Sequence, residues 1–313
     1  MPELKATRYG YGEGLVRLGE TNPKVVALGL DITTSTTVNM FKEKFPDRFF
    51  SLGIAEQNGM GVAAGLSLVG FIPYVCTYGV FASGRCWDQI RTTVCYTNCN
   101  VKIGGAHGGI SVGPDGATHQ ALEEITIMRV IPNMRIIVPC DAIETRKATL
   151  KSAEVFGPVY IRFGREPVPV VTREETPFEF GKALLLRDGK DVTVIACGPM
   201  VYDAMEAAKA MEEKGISVQV INMHTVKPID TEAIVQAARQ TGAIVTAEEH
   251  QIAGGLGGAV AEVLGENYPV PLRRIGIRDR FGTSGAPREL MYEFRVTKIQ
   301  IGEAIEEVLK RKK

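Results

Sequence analysis

The stretch "GIAEQNGMGVAAGL" (residues 53–66) sets a single carboxylate, Glu56, at the mouth of a segment made almost entirely of Gly, Ala, Val, Leu and Met. An acid at the start of a helix is ordinary, because the free N–H groups and the helix dipole favour negative charge there. Walled in by small apolar residues, the same acid has a shifted pKa, a fixed partner, or both, and what else gathers around it decides between the two readings. A second stretch, "AHGGISVGPDGATHQ" (106–120), holds His107, Asp115 and His119 among glycines that permit tight turns and close approach of a ligand. A lone histidine is most often structural. Here two of the protein's four fall in one short loop, which favours proton transfer and hydrogen bonding near neutral pH. No third His or Cys nearby completes a metal set, so no metal ligand is assigned to this chain. His224 and His250 read as structural or interfacial.

Other residues acquire meaning only beside these. Tyr78 and Phe81, in "CTYGVF", are core residues by default, but next to a carboxylate and a glycine-rich loop they could stack on a planar cofactor. Arg8 and Arg165 default to surface ion pairs, and arginine is equally the natural grip on a phosphate. The run "GGLGG" (254–258) lacks both the dinucleotide spacing and a Lys-Ser/Thr ending, so close helix packing accounts for it better than a phosphate cradle.

Apolar runs alternating with helical patterns must position these groups, the signature of a parallel sheet covered by helices. Strands are expected at 25–30, 48–54, 72–77, 101–106, 135–139 and 159–163. The stretch 165–182, rich in Pro and charge, has no periodicity and reads as a connection. Beyond it strands are expected at 192–198, 217–223 and 243–248, with helices near 200–214, 230–240 and 256–265. The fold class is therefore α/β, with a domain over 1–170, a linker over 171–187 and a smaller α/β domain over 188–313. Open parallel sheets bind ligands beyond the carboxyl ends of their strands. Asp31, Ser35, Glu56, Tyr78, Phe81, His107, Asp115, His119 and Arg165 all follow strands and so should share one rim.

Composition narrows the function classes. Lys+Arg and Asp+Glu are both 36 in 313 residues, so bulk charge gives no reason to expect a nucleic-acid or acidic-membrane partner. The six cysteines lie in apolar segments without metal or redox spacing and read as buried thiols in a reducing compartment, the cytoplasm by default. The first residues, "MPELKATRYGYGEG", are charged and lack the apolar core of a signal peptide or anchor. No charge occurs between Gln57 and Gly84, but Gly65, Gly70 and Pro73 interrupt that stretch, so helix, turn and strand fit better than a membrane span.

Taken in order, "GIAEQN", "CTYGVF", "DQIR" (88–91), "GPDGATHQ", "VKPID" (226–230) and "EEHQIAGGLGGAV" (248–260) resemble the C-terminal half of transketolase, nearly end to end. The resemblance implies a thiamine-diphosphate-binding fold: a pyrimidine-binding domain, with a parallel sheet and helices on both faces, followed by the transketolase C-terminal domain. The family's Gly-Asp-Gly stretch, which anchors the diphosphate through Mg2+ in a separate domain, has no counterpart here. The chain thus resembles one subunit of a split transketolase. Its implied partner is an N-terminal subunit carrying the diphosphate domain and the Mg2+ ligands, in a two-plus-two heterotetramer. The implied activity is transfer of a two-carbon ketol unit from a ketose phosphate to an aldose phosphate.

By similarity Glu56 meets a ring nitrogen of the cofactor's aminopyrimidine, against which Phe81 and Tyr78 pack. Glu56, His107 and His119 are the implied catalytic residues. Asp115 is placed on the substrate hydroxyl beside the carbonyl, His107 and His119 at polar groups of the sugar, and Arg8, Ser35, His107 and Arg165 at its phosphate. Gly84 stands where many members carry an aromatic residue, which implies that part of the pyrimidine pocket is more open or is filled otherwise. The beta subunit of a 2-oxo acid dehydrogenase shares the two-domain plan, but His107, Asp115 and His119 together suit sugar-phosphate recognition. Deoxyxylulose phosphate synthase has an Arg at the position of His107. A non-catalytic assembly partner of the same fold would have no need of an intact Glu56.

Overall fold

Successive residues of the buried strands part to opposite faces, as the period of two requires. In Val25–Gly29 and Ile72–Tyr78, the side chains of Val25, Ala27, Tyr74 and Cys76 enter one core, while Val26, Leu28 and Val75 enter another. Helices Thr7–Thr21 and Ala142–Ser152 cover the first face, and helix Glu56–Leu68 covers the second through Met60, Ala63 and Ala64. Burial on both sides is what a parallel sheet needs, and it explains why these strands read as unbroken apolar runs. The computed structural model describes residues 3–312.

The larger sheet has seven strands, ordered Thr225–Lys227, Arg135–Ile137, Val159–Phe163, Lys102–Ala106, Ile72–Tyr78, Val25–Gly29 and Phe49–Ser51. All are parallel except Thr225–Lys227, which runs antiparallel at the edge. The smaller sheet is ordered Leu272–Ile277, Ile244–Gln251, Val192–Ala196, Val218–Asn222 and Leu184–Arg187, the last of these antiparallel. One face packs on helices Met200–Glu212 and Lys298–Leu309. The other face, with Ile195, Ile221 and Ile244, joins a core continuous with that of the larger sheet, so the two units are fixed against each other by shared apolar packing.

Several expectations are corrected. The segment expected to link the domains contains Leu184–Arg187 as an edge strand, and in the aperiodic stretch before it Pro167–Pro169 pairs with Leu4–Ala6. Strand Thr225–Lys227 crosses from the second half of the chain to the first sheet. Strand Leu272–Ile277 and helix Pro287–Glu293 have no counterpart among the expected elements. The strand expected over 48–54 is only Phe49–Ser51, because Gly53 turns the chain at φ +69°. The glycine-rich start "TRYGYGEG" is a helix, Thr7–Thr21, and its glycines allow close packing: a Cβ at Gly10 would lie 2.0 Å from the Ala142 carbonyl oxygen. The six cysteines are buried and unbridged. No helix among the described residues is long and apolar enough to cross a membrane.

Candidate active site

Five neighbouring parallel strands deliver the chemistry-bearing residues at their carboxyl ends. Ser35 follows Val25–Gly29, Glu56 follows Phe49–Ser51, and Phe81 follows Ile72–Tyr78, which Tyr78 closes. His107 follows Lys102–Ala106, and Arg165 follows Val159–Phe163. The side-chain contacts link most of them in series.

Glu56 opens helix Glu56–Leu68 and is 3% exposed. Its burial comes with a fixed partner: Arg85 Nη1 donates to Glu56 Oε2 at 2.9 Å. The Arg85 guanidinium carbon also lies 4.2 Å from the Phe81 ring centroid, a cation–π contact. A Cβ at Gly84 would meet nothing within 4 Å, so the position borders open space. Arg85 is the residue that covers the Phe81 ring.

From Phe81 the contacts pass to the imidazoles. The Phe81 and His119 rings meet edge to face at 5.4 Å between centroids, Tyr78 lies 5.8 Å from His119, and Tyr78 lies 4.3 Å from His107. His119 Nδ1 shares a hydrogen bond of 2.9 Å with the Thr118 hydroxyl. His107 is 2% exposed, and its Nδ1 is buried without a partner. It sits at φ +57°, a left-handed conformation that non-glycine residues adopt at a cost, which makes it a candidate for functional strain. Burial first, then the charges of Arg8, Arg165 and His119, push its imidazole down to about 3. At neutral pH His107 is therefore uncharged, able to donate from one nitrogen and accept at the other.

The remaining residues form a cationic side. Arg8, in the first turn of helix Thr7–Thr21, donates through Nη1 to the Ser35 carbonyl oxygen at 3.1 Å, and its Nε is buried without a partner. Arg165 Nη1 lies 3.2 Å from both carboxylate oxygens of Asp115. Asp115 and Arg165 are thus paired with each other, and a ligand that used both would have to share or replace that pair. Two guanidinium groups beside a neutral imidazole and a hydroxyl-bearing loop are the chemistry that binds anions.

Reading the sequence missed several contributors. Arg85 stands four residues after Phe81, a spacing that puts two helical side chains on one face, and this was the available signal. Behind the glycine loop, the buried Arg162 bonds Glu124 through Nε and the Glu249 carbonyl through Nη2, the latter at 2.8 Å. The two remaining histidines are placed as expected. His224 stacks on Phe178 at 4.4 Å, and burial pushes it down to about 4; His250 is buried between Glu248 and Glu124. The start of helix Leu256–Asn267 is filled by Glu248, which accepts from Leu256 N at 2.7 Å and Gly257 N at 2.8 Å, so "GGLGG" serves close packing.

Comparison with known proteins gives a consistent result. Residues 4–170 match the family model "Transketolase, pyrimidine binding domain", and residues 181–301 match "Transketolase, C-terminal domain". The chain is 45% identical over 310 residues to the "Putative transketolase C-terminal section" of Methanocaldococcus jannaschii, covering 98% of this chain and 97% of that protein. It is 43% identical to the "6-deoxy-6-sulfo-D-fructose transketolase subunit SqwH" of a Clostridium species (strain MSTE9), covering 96% and 94%. A solved structure described as "Split gene transketolase, inactive beta4 tetramer" superposes with a TM-score of 0.93 at 50% identity, over 98% of this chain and 99% of that one.

Proposed function

The chain belongs to the transketolase family as a split C-terminal section, and from that premise we propose that it transfers a two-carbon ketol unit between sugar phosphates once joined by a partner chain. The family depends on thiamine diphosphate. When bound, that cofactor supplies the electron sink needed to break a carbon–carbon bond beside a carbonyl.

The residues present fit such a group. Glu56 offers a buried carboxylate, the Phe81 face lies beside it, and the partnerless His107 Nδ1 and Arg8 Nε supply unspent hydrogen-bonding capacity. In this reading Glu56 holds or moves one proton at the cofactor's aminopyrimidine, and burial keeps water from competing for it. Tyr78 and Phe81 orient that ring. His107, neutral at working pH, and His119 hydrogen-bond the sugar's hydroxyl and carbonyl oxygens, with Asp115 on the hydroxyl beside the carbonyl. Arg8, Arg165 and the Ser35 segment grip the phosphate. Two imidazoles flanked by arginines favour a sugar phosphate over a 2-oxo acid, which offers no chain of hydroxyl groups to recognise.

The observation that carries this reading is the buried Glu56, joined through Arg85 and Phe81 to His119 and, by way of Tyr78, to His107. The reading assigns the diphosphate and Mg2+ to an N-terminal transketolase subunit, in a two-plus-two assembly. The solved relative described as an inactive tetramer of beta chains supports a dependence on such a partner. The Clostridium relative's name specifies a sulfonated sugar, so the donor and acceptor are to be settled by assay across several ketose phosphates. Titration with thiamine diphosphate and Mg2+ tests the assignment. The isolated chain is expected to bind weakly or not at all, and the chain mixed with a partner carrying the diphosphate motif to bind tightly. Tight binding by this chain unaided contradicts it.

A further inference from the structure

Glu248 and Glu249 are adjacent on strand Ile244–Gln251, so their side chains leave opposite faces. Glu248 turns into its own domain and caps helix Leu256–Asn267. Glu249 reaches out of that domain, and its Oε1 accepts from the backbone N–H of Ser111, in the glycine loop that carries His107 and His119. The approach is close enough that a Cβ at Gly109 would collide with the Glu249 carboxylate. The Glu249 carbonyl oxygen is itself held by Arg162, a residue of strand Val159–Phe163 in the larger sheet that also bonds Glu124.

A second contact repeats the arrangement at the other end of the loop. Gln120 Nε2 donates to the Thr283 carbonyl oxygen of the smaller domain at 2.9 Å and to Ile110 within the loop at 3.2 Å. The loop is therefore pinned from the smaller domain at two points, on either side of Asp115. His107 begins the pinned segment in a left-handed conformation that a free loop would relax.

We propose that Glu249 is a positioning residue: the smaller domain serves the active site by holding the His107–Gln120 loop in its binding shape through the Glu249–Ser111 hydrogen bond. The Glu249 carboxylate is engaged by the loop backbone at Ser111 and is given no contact with substrate in this proposal. Its effect runs through the loop, and this rests on the reading of that loop as the sugar-phosphate site. Losing the bond frees the Ser111 amide and lets the imidazoles drift from the substrate's hydroxyls, so weaker substrate binding precedes any loss of turnover.

The test compares Glu249→Ala, which removes the acceptor, with Glu248→Gln, a substitution one residue away that touches a helix cap and His250 but bonds no residue of the His107–Gln120 loop. Hydrogen exchange on the isolated chain is expected to accelerate at least tenfold across residues 108–116 in Glu249→Ala and to stay at the wild-type rate in Glu248→Gln. In the assembled enzyme, Glu249→Ala should raise KM for the sugar phosphate about tenfold with kcat within threefold, whereas Glu248→Gln should lower the melting temperature and leave KM unchanged. Glu249→Gln, whose amide oxygen can still accept from the Ser111 N–H, should restore most of the wild-type exchange and KM. Should Glu249→Ala fail to fold, Glu249→Asp, which keeps the charge and withdraws the oxygens from Ser111, takes its place with the same expectations. Wild-type exchange across 108–116 and an unchanged KM in Glu249→Ala, or in its replacement, overturn the proposal. An assembled wild type without ketol transfer overturns the functional reading instead, and the exchange measurement still decides whether Glu249 holds the loop.

Discussion

Arg85 donates a hydrogen bond of 2.9 Å to the buried carboxylate of Glu56 while its guanidinium lies over the face of Phe81. One side chain thus occupies both surfaces that the proposed function assigns to the aminopyrimidine. Arg85 is itself 44% exposed, so it can swing into solvent at little cost. A partly exposed pair of this kind contributes on the order of 1 kcal/mol.

Removing the guanidinium should therefore have opposite effects on the free chain and on cofactor binding. Arg85→Ala is expected to lower the melting temperature of the isolated chain slightly, because Glu56 loses its partner. It should also tighten thiamine diphosphate binding in the assembled enzyme by roughly three- to tenfold, the equivalent of about 1 kcal/mol. Calorimetric titration reads the second effect, and weaker binding in the variant would show that Arg85 holds the cofactor rather than covering its place.

The buried His107 gives a pH dependence with a definite sign. The unfolded chain takes up a proton at this imidazole near the ordinary 6.5 and the folded chain only near 3, so between those values the unfolded state binds more protons. The stabilising contribution is complete above pH 6.5 and is lost as the pH falls toward 3, at up to about 1.4 kcal/mol per pH unit. His224 acts in the same direction. Glu144, pushed up to about 7 chiefly by burial, acts in the opposite one between 4.5 and 7. Both remain in a His107→Gln variant, so they cancel in the comparison. Urea unfolding at pH 7, 6 and 5 should show wild type losing stability faster than the variant on acidification, and parallel losses would count against a neutral, buried His107.

The contact between helices Thr7–Thr21 and Ala142–Ser152 leaves no room for a side chain at residue 10. Gly10→Ala must push the two helices apart and should cost about 1–3 kcal/mol, as overpacking of a filled interface does. Because Arg8 lies in the same first turn, KM for the sugar phosphate should rise along with the loss of thermal stability. A variant as stable as wild type would mean that these helices are not packed as closely as described.

How much of this was legible in the sequence varies with how local the cause is. The strands that end at or just before Tyr78, His107 and Arg165 announce themselves as apolar runs of the right length. Helix Thr7–Thr21 is hidden because Gly10, Gly12, Gly14 and Gly19 lower its intrinsic propensity; its packing against Ala142 and Thr149 outweighs that cost. Strand Thr225–Lys227 is three residues long and pairs with Arg135–Ile137, far away in the chain, so no local pattern marks it. Arg85 and Glu56 are 29 residues apart, and a single arginine in a helical stretch looks like a solvated surface charge until the fold brings it over Phe81. Glu249 was visible only as part of a motif; its reach to Ser111 depends on how the two domains meet.

The most direct test of the account is ketol transfer by a Glu56→Ala variant, assayed with a partner chain that supplies the diphosphate site. Activity is expected to fall to near background while the variant folds and assembles as wild type does. A rate within a few-fold of wild type would contradict the role given to Glu56, and with it the reading of the site.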